Sequence, residues 1–299
     1  MAVLRRSGIA PIDEQAGRVP GLDGVLRDLR LGQVVVEVAQ AHAGQGYGGP
    51  RASCRPDQCA DAMIALMTQQ RTDAVTVDDG TFDLHVWTPE SGTGPAVLLI
   101  QEIFGVGPYI RAVAERLAAA GYVVGAPDVF WRFQPGWEAA HDEAGLAASI
   151  AQVQQLDFPS AVQDCISSLE HLAGSDGVQG RPGVLGFCLG GTLAWGVAAL
   201  GTPSCCVSYY GSGVASMIDL ISEVSCPVLF HFGSSDDYIP SDAVEAINAA
   251  ISGREGFHLN VEDAGHAFDN HEAQIFYHEA SSNAAWAKTM AFLSAHLPV

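Results

Sequence analysis

A cysteine lies at the sharpest turn that the sequence predicts. The segment GVLGFCLGGTLAWGVAA, residues 183–199, joins a short apolar run to a helical pattern, and Gly186 and Gly190 flank Cys188 between them. This spacing is that of a nucleophile elbow, in which glycines allow strand and helix to approach closely around a strained turn. Cys188 would stand at a helix N-terminus, where peptide N–H groups favour a thiolate, and the Leu189 N–H would face a developing oxyanion.

Two other interpretations of this turn remain. A buried structural cysteine beside a tight turn is the plainer alternative to a nucleophile. A glycine-rich phosphate loop is the weaker one, because the Lys-Ser/Thr pair of a P-loop is missing after the glycines. The residues that follow along the chain favour the nucleophile.

An acidic residue and a histidine follow Cys188 in the chain order that an elbow nucleophile requires. The segment HFGSSDDYIP, residues 231–240, ends an apolar run with Asp236 and Asp237, and EDAGHAFDN places His266 after the next run. We expect His266 to act as general base and one of the two aspartates to orient it. Spacing alone does not separate Asp236 from Asp237.

Composition excludes several classes of partner. The chain has 299 residues, 48% of them hydrophobic, and a formal net charge of −20, which disfavours nucleic acid and anionic membranes as partners. The sequence lacks an apolar run long enough to cross a membrane and lacks a secretory signal, so a cytoplasmic protein is expected. Cys54 and Cys59 have a metal-like spacing, but no second pair completes a zinc site, and we expect free thiols and no metal.

The first part of the chain differs from the rest. Residues 1–72 hold eight of the fourteen basic residues, and AHAGQGYGGPRASCRPDQ has the composition of a linker. We predict that residues 1–72 are a poorly ordered extension or linker, that the functional protein starts at Met63 or Met67, and that residues 73–299 form the catalytic domain.

From residue 73 onward, short apolar segments alternate with helical patterns, which predicts a parallel sheet with both faces covered. Residues 82–87 are predicted to form an edge strand and residues 95–102 a fully buried one. Further strands are predicted in YVVGAPD, PGVLGF, CCVSYYG, CPVLFHFGSSD and FHLNVEDAGHAF. Helices are predicted in YIRAVAERLAAAGY, PSAVQDCISSLEHLAG, LGGTLAWGVAALG, SDAVEAINAAI and AAWAKTMAFLSAHL. The site is expected at the carboxyl ends of the strands.

Six segments in order resemble the dienelactone hydrolase family of the α/β-hydrolase fold: LLIQEIFGV, GYVVGAPDVFWR, GFCLGG, SYYG, HFGSSDDYIP and AGHAF. The resemblance spans about residues 75–297. It implies a mostly parallel central sheet with helices on both faces and no large lid, although residues 133–152 would allow a modest flap. The family's acid matches Asp236.

The resemblance also implies roles for other residues. The glutamate matching Glu102 pairs with the resting thiol and takes its proton when substrate binds, whereas a buried acid that caps the next turn is the alternative. Ile103 matches the second oxyanion donor, and Arg132 matches an arginine that holds the substrate carboxylate. The family's second such arginine is replaced by Asn270. Tyr209, like Tyr210, either lines the pocket or packs in the core.

Together these features predict a cysteine-dependent hydrolase of small carboxylic esters or lactones that forms a thioester, acts without a metal or organic cofactor, and is a monomer or small homo-oligomer. A protein of the same fold that acts on another acyl substrate, such as a thioester or amide, is an alternative. A glutaminase, however, would need a His-x-Glu pair that GHAFDN lacks. A redox thiol needs no Asp–His pair. A non-catalytic binding module is disfavoured because each catalytic position holds a competent residue.

Overall fold

Eight strands form one sheet in residues 69–299, the part of the chain that this computed structural model describes. The strands are β1 (Gln69–Val77), β2 (Gly80–Thr88), β3 (Ala96–Ile100), β4 (Val123–Pro127), β5 (Gly183–Phe187), β6 (Cys206–Tyr209), β7 (Val228–Gly233) and β8 (Phe257–Glu262). Their order across the sheet is β1-β2-β4-β3-β5-β6-β7-β8. The pairs β1–β2 and β2–β4 are antiparallel, and all the other pairs are parallel.

Helices connect the parallel strands. They are α1 (Pro108–Ala119), α2 (Glu143–Val153), α3 (Phe158–Ala173), α4 (Leu189–Leu200), α5 (Ser241–Ile251) and α6 (Glu279–His296), with a 3-10 helix at Ala215–Ser222. The helices α3 and α4 pack against each other, and α1 contacts α6 where Arg116 lies over the Trp286 ring. Every residue of β3, β4, β5, β6 and β7 is buried, so the middle of the sheet is covered on both faces as the apolar segments predicted.

The edge of the sheet differs from the prediction. Residues 82–87 lie in β2, which is paired on both sides, so their assignment to an edge strand was wrong. The edge strand on this side of the sheet is β1, which begins at Gln69 and has a single buried residue, Val75. A strand so polar carries almost no hydrophobic alternation, which is why the sequence pattern did not reveal it.

Most of the predicted N-terminal extension, residues 1–68, lies outside the described residues, as do Cys54 and Cys59. Within residues 69–299 no helix is long and apolar enough to cross a membrane. The same part of the chain has no cluster of three or more histidine, cysteine or acidic side chains arranged to hold a metal ion.

Candidate active site

The turn between β5 and α4 has the geometry of a nucleophile elbow. Cys188 adopts φ 54° and ψ −114°, a strained conformation for a residue with a side chain. A Cβ on Gly186 would lie 2.0 Å from the Gly190 carbonyl oxygen, and one on Gly190 would lie 2.3 Å from that of Ile100. Both glycines are therefore required by close packing of the backbone. The Cys188 N–H donates to the Tyr209 carbonyl at 3.0 Å, which anchors the turn to β6.

Three side chains from three strand ends form a continuous line. The Cys188 Sγ lies 3.2 Å from His266 Nε2, and His266 Nδ1 lies 2.8 Å from Asp236 Oδ2. The second oxygen of Asp236 accepts the N–H groups of Tyr238 at 2.8 Å and Ile239 at 3.1 Å, which fixes the carboxylate. Asp237 is exposed, so Asp236 is the aspartate that the fold turns toward the imidazole.

Charge within this line makes the imidazole a stronger base. Burial alone would lower the pKa of His266, but the neighbouring Asp236 carboxylate and Cys188 sulfur outweigh burial and hold that pKa well above its ordinary value. The rings of Tyr210 and Tyr238 lie 5.1 and 4.8 Å from the imidazole and limit its rotation. The arrangement suits proton transfer between sulfur and nitrogen.

Cys188 differs from the other cysteines of residues 69–299. It is half-buried, whereas Cys165, Cys205, Cys206 and Cys226 are buried. Burial raises the pKa of each of those four thiols, to about 12 for Cys205 and about 11 for Cys226, so they remain protonated and inert. Cys188 is therefore the described thiol that is placed to react.

The two expected oxyanion donors have no competing acceptor. Neither the Ile103 N–H, just after β3, nor the Leu189 N–H, at the first turn of α4, donates to any group among residues 69–299. Trp137, in the segment predicted as a flap, donates its indole N–H to the Ile103 carbonyl at 3.2 Å. A Cβ on Gly105 would lie 1.7 Å from the Trp137 carbonyl oxygen, so this segment lies directly against the loop after β3.

Glu102 is buried beside the site and bonds to Asn270. The Asn270 amide donates to Glu102 Oε2 at 2.5 Å, while the other oxygen, Oε1, has no hydrogen-bond partner within residues 69–299. Burial raises the pKa of Glu102 to about 7, although His266 and Asn270 partly oppose that rise. The resemblance implied a bond between this carboxyl and the resting thiol. In the structure the bond of the thiol is to His266 instead.

Asn270 faces Glu102 rather than open space. It is fully buried, and its side-chain oxygen accepts the N–H groups of Glu272 at 3.0 Å and Ala273 at 3.2 Å. The amide thus bridges the loop after β8 and the carboxyl after β3.

Arg132 is bonded to two carboxylates of this chain. Its guanidinium bonds to both oxygens of Asp79 at 2.9 Å, bonds to both oxygens of Asp164, and lies 4.4 Å over the Trp131 ring. Two carboxylates already bond to it, which weighs against the role that the resemblance implied.

The structure places Tyr209 in the core rather than at the pocket. Its side chain is fully buried, its hydroxyl lies 2.6 Å from Thr289 Oγ1, and its ring stacks on His231. Tyr210 is the tyrosine beside the site, with its ring near His266. In a strand, neighbouring side chains point to opposite faces, which separates these two. Tyr238 was missed by sequence reasoning, although it directly follows the two aspartates.

A mostly parallel sheet that carries a cysteine elbow followed by an acid and a histidine is the arrangement of the α/β-hydrolase class. The family model described as "Dienelactone hydrolase family" matches residues 82–297. The chain belongs to the dienelactone hydrolase family.

Individual relatives are consistent with this membership. A carboxymethylenebutenolidase of Pseudomonas sp. is 34% identical over 76% of this chain and 97% of its own length. Carboxymethylenebutenolidase 1 of Cupriavidus pinatubonensis is 30% identical over 72% of this chain and 92% of its own. A dienelactone hydrolase-like promiscuous phosphotriesterase from metagenomic libraries shares the fold, with TM-score 0.66, 20% identity, and coverage of 77% of this chain and 99% of the other.

Proposed function

We propose that this member of the family hydrolyses carboxylic esters or lactones through a thioester on Cys188. His266 takes the thiol proton and the sulfur attacks the acyl carbon, forming a C–S bond. The N–H groups of Ile103 and Leu189 hold the oxyanion. When the intermediate collapses, the C–O bond breaks and His266 returns its proton to the leaving alkoxide. A water molecule, deprotonated by His266, then attacks the thioester, and the carboxylic product leaves as the thiol is restored.

The line of contacts from Cys188 through His266 to Asp236 is the observation that carries this proposal. Its distances of 3.2 and 2.8 Å are those of hydrogen bonds between a nucleophile, a base and an orienting acid. The N–H groups of Ile103 and Leu189, which donate to no group within residues 69–299, would supply the other requirement for acyl transfer.

We further propose that the preferred substrate is uncharged at its acyl part. Arg132 is bonded to Asp79 and Asp164, and Asn270 is neutral and bonded to Glu102. A carboxylate brought into this site would meet Glu102 without a guanidinium to balance it. The relatives are named for a butenolide that carries a carboxymethylene group, so on this point the chain departs from them.

A hydrolysis panel tests both parts. Wild type, Cys188→Ala and Cys188→Ser are assayed with dienelactone, neutral γ- and δ-lactones, and short p-nitrophenyl esters. The control is Cys165→Ser, since Cys165 is buried and distant in sequence from the elbow. We expect a burst of p-nitrophenol in wild type, loss of turnover by a factor of about 10³ or more in Cys188→Ala, and near-normal turnover in the control.

Retained turnover in Cys188→Ala would refute the thioester mechanism. Faster turnover of dienelactone than of every neutral lactone would refute the assignment of substrate charge while leaving the mechanism standing. An amide or thioester substrate, the main alternative, would show as hydrolysis of glutamine or acyl-thioester probes at rates above those of all oxygen esters. A non-catalytic binding module would show no burst with any of them.

A further inference from the structure

A buried amide follows the last residue of β3. Gln101 is 1% exposed, and both ends of its side chain are bonded. Its Nε2 donates to the Glu102 carbonyl at 3.2 Å, and its Oε1 accepts the Val129 N–H at 3.2 Å. Gln101 therefore links the ends of the neighbouring strands β3 and β4.

The carbonyl that Gln101 holds belongs to a particular peptide. The C=O of Glu102 and the N–H of Ile103 lie in one planar trans unit and point in opposite directions. Holding the oxygen therefore fixes the direction of the N–H. The Gly105 N–H reaches the same oxygen at 3.5 Å, a long contact that leaves Gln101 as the stronger anchor.

The N–H at the other end of this peptide is free. Within residues 69–299 the Ile103 N–H donates to no group, so no hydrogen bond of its own sets its direction. An oxyanion donor works only if it is already aimed when charge develops. The orientation of this donor must therefore come from the groups bonded to its peptide.

We propose that Gln101 is a positioning residue that aims the Ile103 N–H at the oxyanion of the reaction catalysed by Cys188. The inference rests on the proposed function and adds a residue that touches neither substrate nor nucleophile. The sequence signal is a glutamine next to a fully buried strand, where an unbonded amide would be costly.

Two substitutions separate the two bonds of Gln101. Gln101→Met keeps the length of the side chain but removes both bonds. Gln101→Glu keeps an acceptor for the Val129 N–H and removes only the donor to Glu102. If the donor matters, kcat for p-nitrophenyl acetate falls about 10- to 100-fold in both variants, somewhat less than the loss of a whole oxyanion donor. KM is expected to change by less than about two-fold, because ground-state binding is not involved.

Two further readouts distinguish aiming from folding. A trifluoromethyl ketone, which forms a tetrahedral adduct with the thiolate, should lose affinity by the same factor as kcat/KM. Alkylation of Cys188 by iodoacetamide, which develops no oxyanion, should keep the wild-type rate. Gln179→Met, at an exposed glutamine, is the matched control.

Several outcomes would overturn the proposal. Wild-type kcat and inhibitor affinity in Gln101→Glu would show that the donor to Glu102 is dispensable. Equal losses of alkylation and turnover in both variants would indicate a role in folding alone. If wild type itself showed no alkylation-sensitive turnover, the proposed function rather than the role of Gln101 would have failed.

Discussion

The pair of Glu102 and Asn270 distinguishes this site at the residue scale. A carboxyl that is 2% exposed, bonded through one oxygen and, within residues 69–299, unbonded through the other, is costly to ionise. Its raised pKa, about 7, lies where small changes in surroundings change its charge. The fold thus keeps a proton acceptor within electrostatic reach of His266, bonded to Asn270 rather than to the thiol.

Replacing Glu102 with glutamine should stabilise the protein at high pH. The folded pKa of about 7 lies above the ordinary value of 4.5, so the folded state is favoured fully below about pH 4.5 and loses stability as pH rises through 7. Above pH 7 the loss amounts to about 3 kcal/mol, which Glu102→Gln would remove. Urea unfolding of wild type and Glu102→Gln at pH 5 and pH 8 measures this difference in the free energy of unfolding, with the exposed Glu90→Gln as control. Equal stability differences from wild type at the two pH values would contradict the raised pKa.

The sequence predicted that Cys188, His266 and one of the aspartates 236 and 237 would meet, because each follows an apolar strand and parallel strands end at one edge of the sheet. Only the family resemblance pointed to Asp236. It could not predict the contacts of Arg132, because its partners are far away along the chain: Asp79 in the turn after β1 and Asp164 on α3. Nor could it place Asn270 against Glu102, which is 168 residues away.

At the scale of elements, a buried histidine joins two strands to the last helix. His231 on β7 receives the Asn260 amide of β8 at 2.8 Å on Nδ1 and bonds through Nε2 to Thr289 of α6 at 3.0 Å. Thr289 in turn contacts the Tyr209 hydroxyl of β6. Burial, with a smaller contribution from Lys288, lowers the pKa of His231 to about 3, so the imidazole is neutral and the network is intact at neutral pH.

Acid should weaken the hydrogen-bond network around His231. Because the folded pKa of His231 lies below the ordinary 6.5, its contribution is full above pH 6.5 and is lost as pH falls toward 3. Between pH 7 and pH 5 the contribution of His231 to the free energy of unfolding falls by about 2 kcal/mol. In His231→Gln, which keeps a donor for Thr289, that part of the pH dependence should vanish. Chemical unfolding at both pH values tests this, with the half-buried His171→Gln as control. If the free energy of unfolding of His231→Gln still fell between pH 7 and pH 5 as much as that of wild type, the prediction would be contradicted.

Periodicity predicted most strands and helices within a few residues, since the middle of the sheet is buried on both faces. It missed β1 and α2, both of which are largely exposed. Elements that bury few side chains leave little pattern in the sequence, and their place is set by the partners they pair with.

At the scale of the whole molecule, every residue of the candidate site and every strand described lies within residues 69–299, and the family model begins at residue 82. We therefore propose that residues 1–66 are dispensable for hydrolysis. A chain that starts at Met67 should fold, melt within a few degrees of the full chain, and hydrolyse p-nitrophenyl esters with kcat/KM within about two-fold. A loss of ten-fold or more would show that the preceding segment contributes to the site.

The contrast between one half-buried thiol and four buried ones gives that shortened chain a practical property. It would retain five cysteines, since Cys54 and Cys59 are removed with the segment. A colorimetric disulfide reagent added to the native protein would then release one equivalent of dye, and four more only after denaturant. The first equivalent of dye would give the concentration of native protein with a free Cys188 thiol, so each preparation could be standardised without a substrate.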